Sequence, residues 1–320
     1  MAKKHFTTFE EQIQILSDRG LLFHSKETAI QALKRYGYYN IINGYKDSYI
    51  TIDDNGNERY KEGVSFEQIY SLYCMDRYVR NAILDSTLDV EDMLRNALAH
   101  TIAESFGEEE SAYMNAENYH SGIKRKSRFK RDDILKKFQK ILSDNDQEPI
   151  KYYRNNYGNV PPWIMLKGAS FGNLVNFTKL QKGPQKNRVL SLLSGLPAET
   201  IGSIQEVKDL LMDTLFVCLD YRNTAAHGWR IYNYESSSTF RYSRILHSRL
   251  GISEADYRHG KGKTGITTLH SALSFLDNHS PAVSLQAGAT VAIEEHCETY
   301  PEDLKCLQDY INFAVVDASM

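Results

Sequence analysis

Leu210-Leu211-Met212-Asp213-Thr214-Leu215-Phe216-Val217-Cys218-Leu219 runs straight into Asp220-Tyr221-Arg222-Asn223-Thr224-Ala225-Ala226-His227. The first stretch is strongly apolar and predicts a buried helix that carries the polar cluster at its far end. Gly228-Trp229-Arg230 follows, and a glycine at this point ends or bends a helix. On a helix turning about 100° per residue, Asn223 and His227 are four apart and share a face. Arg222 lies farther round, but its long stem brings the guanidinium to the same spot. A fixed cation, an amide and a titratable imidazole in one place suit a phosphodiester better than most other substrates.

The phrase occurs a second time. Arg95-Asn96-Ala97-Leu98-Ala99-His100 repeats the Arg, the Asn and the His, again with small apolar residues between them. Arg followed by His at about this spacing is a weak signal, since Arg19 to His24 and Arg241 to His247 also fit it as accidents. The shared Asn and the alanines set the two copies apart. Each copy also has a purely structural reading, with Arg95 as a surface salt-bridge residue and His100 as a satisfied helix histidine. The apolar run ahead of Arg222 makes the second copy the more distinctive.

The chain has 320 residues, 42% hydrophobic and 25% charged, the make-up of a globular protein with a substantial core. No apolar run approaches the roughly 18 residues of a membrane span. Met1-Ala2-Lys3-Lys4-His5 has no apolar stretch behind it and is not a secretory signal, so the expected location is cytoplasmic, with no membrane partner. Cys74, Cys218, Cys297 and Cys306 form no Cys-x-x-Cys pair, which suits reduced thiols. No Cys or His pair has ligand spacing, so neither a metal site nor a cofactor is expected.

Helical periodicity dominates, and the expected fold class is mostly α, a helical bundle with one small hairpin. Helices are predicted over Phe9 to Arg19 and from a Ser25 cap to Tyr36. Ser65 to Leu84 and Leu88 to Phe106 are predicted as two further helices, and the latter carries the first motif. Asp53-Asp54-Asn55-Gly56-Asn57 is a strong turn signal that would pair Ile50 to Ile52 with Arg59 to Lys61. Asn155 to Pro162 reads as a connector; Trp163 to Leu180, Gln185 to Leu193 and Glu206 to His227 read as helices. Thr267 to Leu276, Ser284 to His296 and Pro301 to Val315 complete the set. We expect a helical domain over 1–234 and a helical extension over 235–320 packed on the main bundle. Gly260-Lys261-Gly262-Lys263-Thr264-Gly265 lacks the full phosphate-loop spacing and a preceding apolar strand, and reads as a flexible loop. Five tyrosines between Tyr36 and Tyr49 suit base stacking, but their spacing favours aromatic core packing.

A net charge of −3 argues against a protein coated in positive charge for nucleic acid. Locally the balance reverses. Lys124 to Lys140 holds nine Lys or Arg against Asp132 and Asp133. Read as a basic helix anchored by Phe129, Ile134 and Phe138, it is either a solvated face or a surface that neutralises phosphates. Lys124, Arg125, Lys126, Arg128, Lys130 and Arg131 are the candidate RNA contacts.

Arg222-Asn223-x-x-Ala226-His227 followed by Trp229-Arg230-x-Tyr232-Asn233 resembles the C-terminal signature of the bacterial Abi-like (AbiD/AbiF-type) abortive-infection proteins, members of the HEPN superfamily of helical ribonucleases. Ala29-x-x-x-Leu33-x-x-Tyr36-Gly37-Tyr38-Tyr39-Asn40-x-x-x-Gly44-Tyr45 resembles that family's opening block. Phe66 to Tyr73, Val90-Glu91-x-x-Leu94-Arg95 through Phe106-Gly107, Trp163-Ile164-Met165 and Ser170-Phe171-Gly172-Asn173-Leu174 resemble its middle segments. The similarity runs from about Glu10 to Tyr234. Family members often carry no His at the position of His100, which leaves the role of the first motif open.

The resemblance implies a HEPN-like bundle and metal-independent cleavage of RNA, with RNA as partner and an RNA or protein antitoxin as a further candidate. His227 would be the general acid or base, Arg222 would stabilise charge on phosphorus, and Asn223 would orient the histidine or a phosphate oxygen. In this superfamily two such motifs meet in one site, usually across a dimer. Here the second set comes either from a symmetry mate in a homodimer or from Arg95, Asn96 and His100 of the same chain. The rival is a non-catalytic helical module that binds RNA or protein, with the Arg-Asn-His cluster structural. An exposed His227 beside Arg222 favours the enzyme; a sealed one favours the module.

Overall fold

The computed structural model describes residues 5–125 and 128–308. Among them lie sixteen α-helical segments and two short antiparallel hairpins, so the fold is mostly α. No helix among the described residues is long and apolar enough to cross a membrane. The chain divides into two compact units that interleave along the sequence.

The first unit draws on Met1–Ala82, Gly228–Asn233 and Ala287–Met320. Its opening helix, Phe9–Asp18, starts in a capping box, where the Thr8 hydroxyl accepts from Glu11 N and Glu11 reaches back to Thr8 N. The next, Lys26–Tyr36, is capped by Ser25 as expected. The predicted hairpin forms, but Ile50–Ile52 pairs with Glu58–Tyr60 rather than with 59–61. Asp53 sets this register, because its carboxylate accepts from Asn55 N and Asn57 N and closes the turn one residue early. Tyr45 and Tyr49 are buried and Tyr36 packs on Tyr70 and Tyr73, so core packing claims most of the tyrosine cluster; Tyr39 alone is well exposed.

The second unit draws on Ile83–His227 and Tyr234–Gln286. It holds both Arg-Asn-His motifs. The predicted break near 85–87 is absent: Phe66–Phe106 is one unbroken helix of 41 residues. Thr87 donates its hydroxyl to Ile83 O at 2.7 Å, and Ser86 donates to Pro281 O at 2.7 Å. These polar side chains are satisfied without capping a helix end, which is why the signal they carry in sequence misleads. The expected Trp163–Leu180 helix is divided into Pro162–Met165, a tight turn at Leu166–Gly168, and Phe171–Leu180, because Ser170 caps a new start at Asn173 N. Ile150–Tyr157 is helical and ends on the left-handed Gly158, so the connector to Pro162 is shorter than expected.

The basic block is not one helix. Lys124–Arg125 and Arg128–Phe129 form the second hairpin, and the helix begins at Lys130 and runs to Asp144. Ile134, Phe138 and Leu142, spaced four apart, turn inward, and Phe138 and Tyr119 pack on Phe177 with ring centres at 4.8 Å. Each such side chain contributes about 1.5–3 kcal/mol by leaving water. Lys126 lies outside the described residues, as does the predicted helix beyond Gln308. Cys74, Cys218 and Cys297 are free thiols, and burial pushes the Cys218 thiol up to about 12, which leaves it inert as a nucleophile.

Candidate functional site

The helix Gln205–Ala226 is built as its sequence dictates. Leu210, Leu211, Leu215, Val217, Cys218 and Tyr221 are buried, and the polar motif sits in its last turn. Two residues just before the arginine fix that turn. Tyr221 is fully buried and meets Tyr234 edge-on at 5.1 Å. Asp220 accepts from Ser236 Oγ at 3.0 Å, Ser237 Oγ at 2.7 Å and Ser238 N at 2.7 Å. The serine-rich stretch Ser236-Ser237-Ser238 is therefore a strap across the end of the motif helix.

His227 is the C-cap, its N–H donating to Asn223 O at 3.1 Å, and Gly228 at φ +71° turns the chain away. Its side chain is solvent-exposed. Asn223 is exposed too, and its Oδ1 accepts from Arg222 Nη1 at 3.4 Å. The expected Arg, Asn and His of the second copy thus share one exposed helix end.

The first copy has a different environment. Arg95 donates to Glu91 Oε1 at 2.7 Å from one nitrogen and pairs with Asp92 from another. Asn96 and His100 are exposed in the last third of the long helix. Two carboxylates hold the Arg95 guanidinium, while His100 stands in solvent.

The motifs meet at a residue that sequence reasoning passed over. Glu91, 9% exposed, presents Oε1 to Arg95 and Oε2 to Arg222 at 3.9 Å. Oε2 is buried and makes no hydrogen bond within the described residues, so the carboxylate is only partly satisfied. The Glu91-x-x-x-Arg95 spacing, Glu four residues ahead of a cation, was the signal available for it.

The segment that follows the second motif is anchored within the first unit. Buried Asp76 accepts from Tyr45 OH at 2.5 Å, from Tyr232 N at 2.6 Å and from Ile231 N at 3.2 Å, and pairs with Arg80. Arg230 donates to Gly44 O and lies 3.7 Å from Asp47. Asn233 takes a left-handed φ of 60°, which Asn tolerates better than most residues. Trp229-Arg230-x-Tyr232-Asn233 is thus largely a docking strap, and Tyr45, Asp76 and Arg80 are the partners that the sequence did not reveal.

Of the basic candidates, Lys124 and Arg128 are exposed, with Lys124 Nζ 5.4 Å from the Phe129 ring centre. Arg131 donates to Asp132 at 3.0 Å and to Ala116 O at 3.1 Å. Lys130 lines a cavity with Lys179. The side chain of Arg125, like Lys126, lies outside what is described. Among the described residues no group of three or more His, Cys, Asp or Glu is placed to hold a metal ion.

A mostly helical protein that presents one exposed Arg-Asn-His helix end, with a second copy joined to it through a shared carboxylate, is the class these features define. The family model of the Abi-like proteins matches residues 31–233, well over half of the chain. The chain belongs to that family. Neither a curated protein nor a solved structure matches it.

Proposed function

We propose that the chain is a metal-independent RNA endonuclease of HEPN type acting in a bacterial abortive-infection system. The observation that carries this is the exposure of His227 at the end of a buried helix, beside Arg222 and Asn223. The RNA's 2′-hydroxyl attacks the adjacent phosphorus, and the bond from phosphorus to the 5′-oxygen breaks. His227 removes the proton from the 2′-hydroxyl or supplies one to the departing oxygen. Arg222 keeps its charge throughout and contacts the non-bridging oxygens, where negative charge builds. Asn223 orients one of these two groups.

Glu91 supports an arrangement in which both motifs of one chain contribute, because it faces Arg95 and Arg222 at once. Arg95 and Glu91 then steer Arg222, so that the first copy contributes by support rather than by contact with the reacting bond. Pairing of two His227 ends across a homodimer is the other form of the same site, supported by the exposure of that helix end; the mass of the protein in solution separates the two. Lys124, Arg128 and Lys130 would take the flanking phosphates. An RNA or protein antitoxin would act by covering His227.

A non-catalytic binding module is favoured by one observation, the commitment of Arg95 to Glu91 and Asp92. Purified protein incubated with mixed cellular RNA in excess EDTA separates the two. The nuclease cleaves under these conditions. Cleavage that stops in chelator and returns with magnesium or manganese excludes the 2′-hydroxyl route as the whole mechanism. Absence of cleavage with and without metal favours the module.

A further inference from the structure

We propose that a cavity in the second unit, lined by residues from 120–123, from the start of the helix Lys130–Asp144 and from the helix Phe171–Leu180, binds a guanine nucleotide, with phosphate on Lys130 and Lys179 and the base edge on Asp133. The proposal does not depend on whether His227 cleaves RNA.

The cavity has a volume of about 500 Å³, which falls within the roughly 300–1,000 Å³ of small-molecule sites. Ile123 and Leu180 give it apolar surface for a planar ring, and His120, Lys130 and Lys179 give it positive or donor groups. Neither lysine forms an ion pair among the described residues, and Lys179 is held over the Phe216 ring at 5.2 Å. The positive field extends beyond the cavity. Burial, then repulsion from Lys208 and Lys179, holds the neighbouring Lys186 below its ordinary value. A phosphate on Lys179 relieves that repulsion.

The acceptors narrow the ligand further. Asn176 already donates its amide to Gly172 O at 2.6 Å, which leaves Oδ1 as an acceptor. The Asp133 carboxylate makes no hydrogen bond or ion pair among the described residues and, when ionised, only accepts. A carboxylate offers paired oxygens to two parallel N–H groups. Among the RNA bases, guanine alone presents two adjacent N–H donors on its pairing edge. Two lysines for phosphate, apolar walls for a ring and a carboxylate for such an edge together describe a guanine nucleotide.

The walls are tied before any ligand arrives. His120 N donates to Leu180 O at 2.8 Å and Lys130 N to Ile123 O at 3.0 Å. Gly122 has φ +71°, and a Cβ there would stand 2.7 Å from Leu180 Cδ2 and 3.2 Å from Lys130 Cβ, so only glycine closes the segment onto the helix.

The test is calorimetric titration of the full chain with GMP, AMP, inorganic phosphate and the trinucleotides ApGpA and ApApA. GMP is expected to bind at least about tenfold tighter than AMP or phosphate. Lys179→Gln is expected to weaken GMP by about tenfold, and Asp133→Asn to abolish the preference over AMP, with folding checked by circular dichroism. ApGpA binding as well as GMP identifies a guanosine within RNA as the source; binding by GMP alone identifies a free nucleotide. No GMP binding, equal affinity for GMP, AMP and phosphate, or a guanine preference that survives in folded Asp133→Asn overturns the proposal. If Asp133→Asn does not fold, unaltered GMP affinity in the Lys179→Gln variant does so instead.

Discussion

The two Arg-Asn-x-x-x-His copies share residues and differ in almost everything around them. The first lies within the last third of an unbroken helix, before its final turn, and its arginine is occupied by Glu91 and Asp92. The second lies at a helix end, its arginine loosely held at 3.9 Å from Glu91 and its histidine at the cap. An arginine locked to two carboxylates stabilises structure; an arginine with spare donors beside an exposed imidazole can meet a phosphate. On the proposed function the two motifs therefore divide into a supporting copy and a reacting copy, and their surroundings make the division.

Arginine replacement is expected to show the largest contrast. Arg222→Ala should reduce RNA cleavage about 10²–10³-fold and change stability by no more than about 0.5 kcal/mol, since its contact with Glu91 is long and partly exposed. Arg95→Ala should do the reverse, costing about 1–3 kcal/mol in urea unfolding because buried Glu91 loses its partner. A catalytic loss at Arg95 with none at Arg222 would exchange the roles of the two copies.

Coupling through Glu91 sharpens the comparison. A double-mutant cycle of Glu91→Ala with Arg95→Ala should give an interaction of about 1–2 kcal/mol, against less than about 0.5 kcal/mol for Glu91→Ala with Arg222→Ala. Equal couplings would mean that Glu91 holds both arginines alike.

A smaller effect belongs to the basic hairpin. Replacing Lys124 and Arg128 together by Gln should lower the salt slope of RNA binding by about 1.4, at about 0.7 per lost contact with a single strand. An unchanged slope makes this hairpin a solvated surface. His100→Ala should have the smallest effect, reducing cleavage by less than about tenfold while leaving unfolding unchanged, because its side chain is exposed on the helix surface. A larger catalytic loss would bring the first copy into the reaction.

Much of the fold was legible because helix ends announce themselves locally. Thr8 and Ser25 cap helices, Gly228 turns the chain after His227, and the Leu210 to Leu219 run is buried at helical spacing. Polar side chains inside helical runs misled. Ser86 and Thr87 look like a break until Pro281 O and Ile83 O accept their hydroxyl protons. Ser170 restarts a helix in a segment whose periodicity looks continuous. The candidate site was legible as residue types on one helix face. Glu91 and Asp76 were not, because each acts on groups far away in sequence: Glu91 reaches Arg222, and Asp76 reaches the backbone of Ile231 and Tyr232.

The most direct measurement is the rate of RNA cleavage by wild type, His227→Ala and His100→Ala side by side, each verified as folded and each supplied with the same mixed cellular RNA. Loss of general acid–base help should slow the His227→Ala protein by about 10²–10⁴-fold, while the His100→Ala protein stays near wild type. Cleavage by folded His227→Ala at the wild-type rate would remove this histidine from the chemistry and contradict the assignment of the second copy as the reacting one.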